Sequence, residues 1–446
     1  MAAAWTIKQF EPILADAVAR GDVQGVAFAM SDGARHESVA AGMANAKEGI
    51  PATADTIFHI GSVTKVFTAE LVWRLIEQGR LSLETPAVEA APELARIDGL
   101  NDRRITVGRL LTHTSGIDGD IIFEAGRDKD ILRRFLSRVE RVGILFEPGA
   151  HFSYANVGYA LLGRIVELTA GVPFEEALRA LLRDDYGLAE FAILPEEKLM
   201  FRLALAAMTH PATGRMTIDA PGAYSNIASG TVLAMSMPDL TRWALAQGAS
   251  QGGRVQRGMR ARGVKTPFSH RYDAWGFGLM LFNEAAPMLY GHNGGTAGTS
   301  TFMRIAPERG TAWALSATGP KASLLYNEVE RALLQSLKIQ TPPRIPPSGA
   351  CAGDLAAYQG RYERDGMIFD IVAGPGGLTL KASGKFAQAS LDGRPMKPLS
   401  GHVFEVALPE LGLAVWVSFH DFGADGKPHL FCALERMARR KGEAGT

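Results

Sequence analysis

Thr341–Ala350 reads TPPRIPPSGA, and four prolines in ten residues divide the chain more firmly than any other feature of it. Each proline lacks the backbone donor that a helix or an inner strand needs, so no regular element can run through this stretch. It is predicted to be a stiff linker, 341–350, between a large unit, 1–340, and a small one, 351–446. At 446 residues the chain exceeds what one hydrophobic core usually serves, which agrees with two units.

After the linker, short apolar runs at Met367–Val372, Leu378–Lys381, His402–Leu408, Leu413–Phe419 and His429–Leu434 are separated by glycine-rich turns. That spacing predicts an all-β unit, and closing its strands into a barrel removes the exposed edges of an open sheet. Before the linker, Val26–Met30 and Glu37–Ala41 read as strands around the Ser31–Asp32–Gly33 turn, and strands return at Ser300–Ile305 and Thr311–Ser316. Between them, apolar residues recur at helical spacing over Thr64–Gln78, Val157–Thr169, Phe174–Leu182 and Pro238–Gln247, the last with Ser236 as its candidate cap. Strands at both ends with helices between them predict an α+β fold: an antiparallel sheet flanked by helices, with a helical region inserted.

Composition narrows the partners. Lys+Arg and Asp+Glu each total 47, so no global basic field is present to hold nucleic acid. Arg133, Arg134, Arg138 and Arg141 fall among Leu, Phe and Val at helical spacing and read as a solvated helix face. No apolar run reaches the length of a membrane span, and MAAAWTIKQFEPIL lacks the basic and apolar regions of a secretory leader, so a cytoplasmic location is expected. Cys351 and Cys432 are expected to be reduced core residues, with a disulfide between them as the alternative. The ten histidines form no H-E-x-x-H pattern, no C-x-x-C pair exists, and Asp118 and Asp120 near Glu124 have no second ligand cluster. Neither a metal nor a cofactor is expected, and those acids read as the end of a loop. A small molecule or peptide remains as the partner.

Three short motifs could carry chemistry. Ser62–Val63–Thr64–Lys65 follows Phe58–Gly61 and opens the first long helix, which puts the amine of Lys65 one turn from the Ser62 hydroxyl on the same face. A serine hydroxyl is a poor nucleophile without such a base, and burial would have to lower the lysine pKa for it to serve. S-x-x-K is also expected about once by chance in a chain of this composition, with Ser62 as a plain cap and Lys65 solvated. Tyr154–Ala155–Asn156 offers a phenol to relay a proton and an amide to orient a carbonyl or the amine; the alternative is a core tyrosine and a capping asparagine. Gly291–His292–Asn293–Gly294–Gly295 could approach a ligand closely, the Gly295 and Ser62 amides forming an oxyanion hole and His292 sitting at the lip to bind substrate. The same residues could equally be a glycine-rich hairpin with an exposed histidine.

Taken in order, Ser62-x-x-Lys65, Tyr154-x-Asn156 and His292-x-Gly294 resemble the serine β-lactamase and penicillin-binding-protein superfamily, in its class C β-lactamase-like branch of esterases, D-aminopeptidases and thioesterases. LLTHTSG at 110–116, Ser229–Leu240 and Trp275–Gly278 look like that branch too, so the resemblance covers about residues 10 to 338. It implies Ser62 as the acylated nucleophile, Lys65 and Tyr154 as the general-base system, Asn156, His292 and Gly294 as substrate-orienting residues, and the Ser62 and Gly295 amides as oxyanion hole. His113 and Ser115 are expected to support structure. His292-Asn293-Gly294 stands where β-lactamases carry K-T-G, which argues against dedicated β-lactam hydrolysis. The segment opening LAAYQGRY at 355–362 looks like the lipocalin-like barrel appended to some relatives, where it can border the active site. The expected function is therefore a serine hydrolase or acyltransferase acting on ester or amide substrates, including D-amino-acid peptides. The alternatives are a penicillin-binding-protein-type thioesterase that releases or cyclises peptides, and a catalytically silent binding or scaffolding module.

Overall fold

A computed structural model describes residues 5–127, 129–209, 216–218, 222–249, 264–265, 272–283, 287–341, 354–385, 393–409 and 413–442. Most of the linker, 342–350, and Cys351 lie outside the described residues; Cys432 is a buried free thiol.

The apolar run Gly25–Ser31 is buried along its whole length because it is an inner strand, with His36–Asn45 on one side and Thr311–Thr318 on the other. These strands belong to a nine-stranded sheet that continues through Thr299–Ala306, Leu289–Thr296, Leu279–Asn283, Ala274–Gly276 and Val264–Lys265. Both ends of the large unit thus build one antiparallel sheet, as strands at its two ends with helices between them imply. Helices Glu11–Ala19 and Ala322–Ser336 cover one face around Phe10, Leu14, Phe28, Trp313, Leu325 and Val329. Neither helix is among those read from periodicity. The other face carries the inserted helices Thr64–Glu77, Asn156–Ala170 and Met237–Ala249 around Phe67, Leu71, Leu161, Ile165 and Leu240. Ser236 accepts the Asp239 amide at the start of the last of these. No single helix among the described residues is long and apolar enough to cross a membrane.

Residues Gly360–Arg440 form a closed eight-stranded barrel. Its inward positions are filled by Tyr358, Tyr362, Phe369, Phe404, Phe419 and Phe431, with neighbouring ring centroids such as Tyr358–Phe419 at 4.7 Å and Phe419–Phe431 at 5.1 Å. The inside is a packed core, so this barrel presents its outer surface and hairpins to the rest of the molecule. Three of its strands, Gly360–Arg364, Arg394–Ser400 and Arg436–Arg440, escape sequence reading. Arg394–Ser400 holds Pro395 and Pro398, and the ladder accommodates them by a register shift between Pro398 and Ser400.

Candidate active site

Strand Ile57–His59 runs into a single turn, Gly61–Val63, and then into the helix Thr64–Glu77, with the Thr64 hydroxyl donating to the Gly61 carbonyl at 2.8 Å. This places Ser62 half-buried at the helix N-terminus and Lys65 wholly inside. The Thr68 hydroxyl donates to Ala228 O at 2.7 Å and so holds the helix against the segment Tyr224–Ser229.

Lys65 Nζ lies 3.2 Å from Ser62 Oγ, 2.8 Å from Asn156 Oδ1, and within hydrogen-bond reach of the Ser229 carbonyl. Burial drives its pKa well below that of an ordinary amine; Arg436 lowers it further, while Asp120 works against the shift. A neutral amine has two N–H donors and one lone pair. In that state the two protein carbonyls would take the donors and leave the lone pair for the Ser62 hydroxyl.

Tyr154 is buried with its phenol bonded to Ser62, and Lys65 Nζ stands 4.9 Å from the ring centroid. Burial raises the phenol pKa, outweighing Ser62 and Arg436, so the group keeps its proton at neutral pH. Ala155 is extended, and Asn156 opens the helix Asn156–Ala170 without capping it. The Asn156 amide nitrogen donates to Asp120 Oδ1 at 2.8 Å while its oxygen receives Lys65. Asn156 thus ties the Lys65 amine to Asp120, one of the two orienting roles expected of it.

The strand Leu289–Thr296 passes behind Ser62 at backbone contact. A Cβ on Gly294 would fall 1.9 Å from Ile60 O and 3.1 Å from Ser62 N, and one on Gly61, at φ +54°, would fall 2.6 Å from Gly295 N. Only glycine permits this approach. Gly295 is exposed at the rim. His292 is not at the lip: it is fully buried, its ring edge-on to Trp275 at 5.2 Å and its Nδ1 2.6 Å from Asn293 O. Burial, reinforced by Lys65, pushes its pKa down to about 3, so it is a neutral wall of the site and not an exposed substrate ligand.

His113, in the left-handed region at φ 56°, accepts the Ala155 amide on Nδ1 at 3.1 Å and lies 4.4 Å from the Tyr154 ring. It shapes the tyrosine's seat, while Ser115 turns inward onto the Ile117 amide at 3.5 Å. Among the described residues no three His, Cys, Asp or Glu side chains converge as a metal site.

Sequence reading missed the part the barrel supplies. Asp120, read as the end of a loop, is buried and paired with Arg364 at 2.9 Å and Arg436 at 2.7 Å, both from the barrel. The Arg436 guanidinium lies 4.7 Å over the Tyr154 ring. At the tip of the same hairpin Glu435 O accepts the Tyr154 amide at 2.9 Å, and the Met437 amide donates to Ser153 Oγ at 3.0 Å. An apolar contact of Leu145 and Phe146 with Leu430, Cys432 and Met437 seals the junction. The barrel therefore borders the site. The signal in the sequence is slight: two arginines in short barrel strands whose partner lies about 240 and 320 residues earlier.

The residues from 10 to 336 match the beta-lactamase family. The chain belongs to that family. It is one of serine hydrolases. Penicillin-binding protein 4 of Amycolatopsis lactamdurans is 34% identical over 359 residues, which cover 77% of this chain and 94% of that protein. In fold, the crystal structure of SurE matches 97% of the chain and 99% of its own length with a TM-score of 0.77 at 24% identity, barrel included. The D-amino acid amidase of Ochrobactrum anthropi complexed with L-phenylalanine amide matches 74% of the chain and 98% of its own at a TM-score of 0.61 and 24% identity.

Proposed function

We propose that the protein is a serine hydrolase or acyltransferase that works through a covalent acyl-enzyme on ester or amide substrates, D-amino-acid amides and short peptides among them. One observation carries the reading: a wholly buried amine, whose pKa burial lowers well below that of an ordinary lysine and which two protein carbonyls hold, lies 3.2 Å from a half-buried serine hydroxyl. Intact machinery of this kind weighs against a silent binding module.

Ser62 Oγ attacks the substrate carbonyl carbon as its proton passes to Lys65 Nζ. The carbonyl oxygen, now an anion, turns toward the Ser62 and Gly295 amides, each such donor typically contributing roughly 3 kcal/mol. Collapse expels the leaving group, which takes its proton from the Tyr154 phenol; the phenolate is restored from the Lys65 ammonium. Water, or an amine in the same position, then attacks the acyl carbon with Lys65 as base. The Arg436 hairpin over Tyr154 narrows the cleft on one side, which favours small substrates and chain ends over the middle of a long polymer.

The test is labelling with a fluorophosphonate followed by intact mass, with Ser62→Ala as control. A single adduct lost in the variant is expected; no adduct on the native chain would overturn the proposal. An acyl thioester offered with and without an amine separates the two outcomes of the acyl-enzyme. Amide formed faster than free acid would assign transfer, the thioesterase-like reading, in preference to hydrolysis.

A further inference from the structure

The segment from Lys198 to Leu205 lies between the strand Ile57–His59 and the hairpin made by His36–Asn45 and Ile50–Pro51. The Ile57 amide donates to Arg202 O and the Ala204 amide to Ile57 O, each at 2.9 Å, while the Leu205 amide donates to Ala44 O at 2.7 Å. A cleft of about 410 Å³ opens in this corner, and none of Ser62, Lys65, Tyr154, Asn156, Gly294 or Gly295 lines it. Its walls are mainly apolar: Ile50, Phe201 and Leu203 line it, together with Leu199. Leu199 is 87% exposed and its neighbour Met200 82%, more than any other large apolar side chain among the described residues.

The charged groups of the cleft are of one sign. Arg202 is half-buried and donates from Nη1 to Pro51 O at 3.1 Å; it has no ion pair among the described residues, and its Nε is buried without a hydrogen-bond partner. The side of the guanidinium formed by Nε and Nη2 therefore carries no hydrogen bond there, and it is an edge that can take a carboxylate through two parallel bonds. Lys198, 5% exposed, also lines the cleft, with Nζ 2.9 Å from His59 Nε2. Burial and that ammonium push the His59 pKa down to about 3, so the ring is neutral. Glu197, next in the chain, is engaged by Arg179 and by the Ile193 and Leu194 amides, and no aspartate or glutamate is among the described residues that line the cleft. A sheltered cation without a counter-charge, set in an apolar wall, is complemented by an anion attached to apolar carbon. An amide or an alcohol would leave the guanidinium uncompensated, an ammonium would add to its charge, and a short acid would leave Leu199 in water. We propose that this cleft is a second binding site, apart from Ser62, for a carboxylic acid carrying an apolar tail, with the carboxylate on Arg202 and the tail along Leu199 and Ile50.

The probe is octanoate, titrated by calorimetry into the full chain, with octanamide and acetate for comparison. Octanoate should bind at least about tenfold more tightly than octanamide, the size of one hydrogen bond to a charged group. It should bind at least about a hundredfold more tightly than acetate, which lacks the methylenes that the apolar wall would cover. Arg202→Met should weaken octanoate at least about tenfold, and so should Leu199→Asp, a change too exposed to disturb the core. Octanoate should leave fluorophosphonate labelling of Ser62 at its original rate, and the calorimetric result stands whether or not Ser62 is reactive. No binding of octanoate, equal affinity for octanamide, or binding indifferent to both substitutions would each overturn the site. Octanoate that slows labelling in step with its binding would place the acid at Ser62 and overturn it too. A dimer that Leu199→Asp dissolves, with octanoate unbound, would give the cleft to a second copy of the chain and also overturn it.

Discussion

Asp120→Asn tests whether the barrel is part of the active site or merely attached to it. The substitution keeps the shape and an acceptor for Asn156, but removes the charge between Arg364 and Arg436, whose side chains are only 7% and 23% exposed. Leaving buried cations unpaired typically costs about 3–5 kcal/mol, so urea unfolding should show a loss of that order in the full chain. A second effect is specific to the site. Asp120 is the group that opposes the depression of the Lys65 pKa, so its loss lets that pKa fall further. Below its pKa the amine is protonated and cannot accept the Ser62 proton, so the acid limb of kcat/KM should move to lower pH. Asn156, with a weaker anchor, should hold Nζ less firmly and kcat should fall, by about tenfold for one hydrogen bond to a charged group. Arg436→Met in the same chain removes one of the stranded cations, so the double variant should be more stable than the two single losses sum to, with a coupling above about 1 kcal/mol. A stability within about 0.5 kcal/mol of the native chain, together with an unshifted acid limb, would refute both the pairing and its reach to Lys65.

Gly294→Ala would place a methyl 1.9 Å from Ile60 O, backbone against backbone, so the strand must retreat from Ser62; acylation should slow by about 10²–10³-fold, the loss of an oxyanion donor, as measured by single-turnover labelling. Leu434 and Glu435 form the two-residue hairpin tip with φ of 52° and 67°, so replacing them by Asn and Gly should relieve about 1–3 kcal/mol of backbone strain and raise the thermal midpoint. Burial raises the Asp118 carboxyl to about 6, above an unfolded value near 3.9, so the folded chain loses stability as pH rises from about 4 to 6. Asp118→Asn, which keeps an acceptor for the Asp365 amide, should therefore be stabilising by up to about 3 kcal/mol at pH 7 and by nothing at pH 4 in chemical denaturation.

The sheet and the inserted helices were legible because one-sided burial writes a period into the sequence. Thr64–Glu77 repeats Val66, Phe67, Leu71, Val72 and Leu75 on the face it buries, and the chain returns to strands at Thr299–Ala306 and Thr311–Thr318. The helix Ala322–Ser336 has as clear a buried face, with Leu325, Val329 and Leu333, yet it escaped sequence reading. Ser62, Lys65 and Tyr154 were legible by type and order, since each has a chemical use that few other residues could serve. The position of His292 was not, because exposure depends on what packs across a strand: Trp275 reaches it from Ala274–Gly276.

The barrel's share was illegible for a further physical reason. An ion pair between Asp120 and arginines of two strands leaves no periodic trace, since neither partner needs a particular local conformation. A local anomaly is the tip Leu434–Glu435, where a hairpin of this length ordinarily takes Asn-Gly, and these residues predict a poor turn. The structure shows what holds it. Glu435 offers its carbonyl to Tyr154, and the residues after it place Arg436 on Asp120 and Met437 on Ser153. A turn strained in isolation is therefore maintained by contacts across the junction. If those contacts sustain it, proteolysis or hydrogen exchange at 433–437 should quicken in Asp120→Asn, while the barrel's aromatic interior stays protected. Equal protection at the tip in both chains would mean that the hairpin keeps its form unaided, and the strain would need another source.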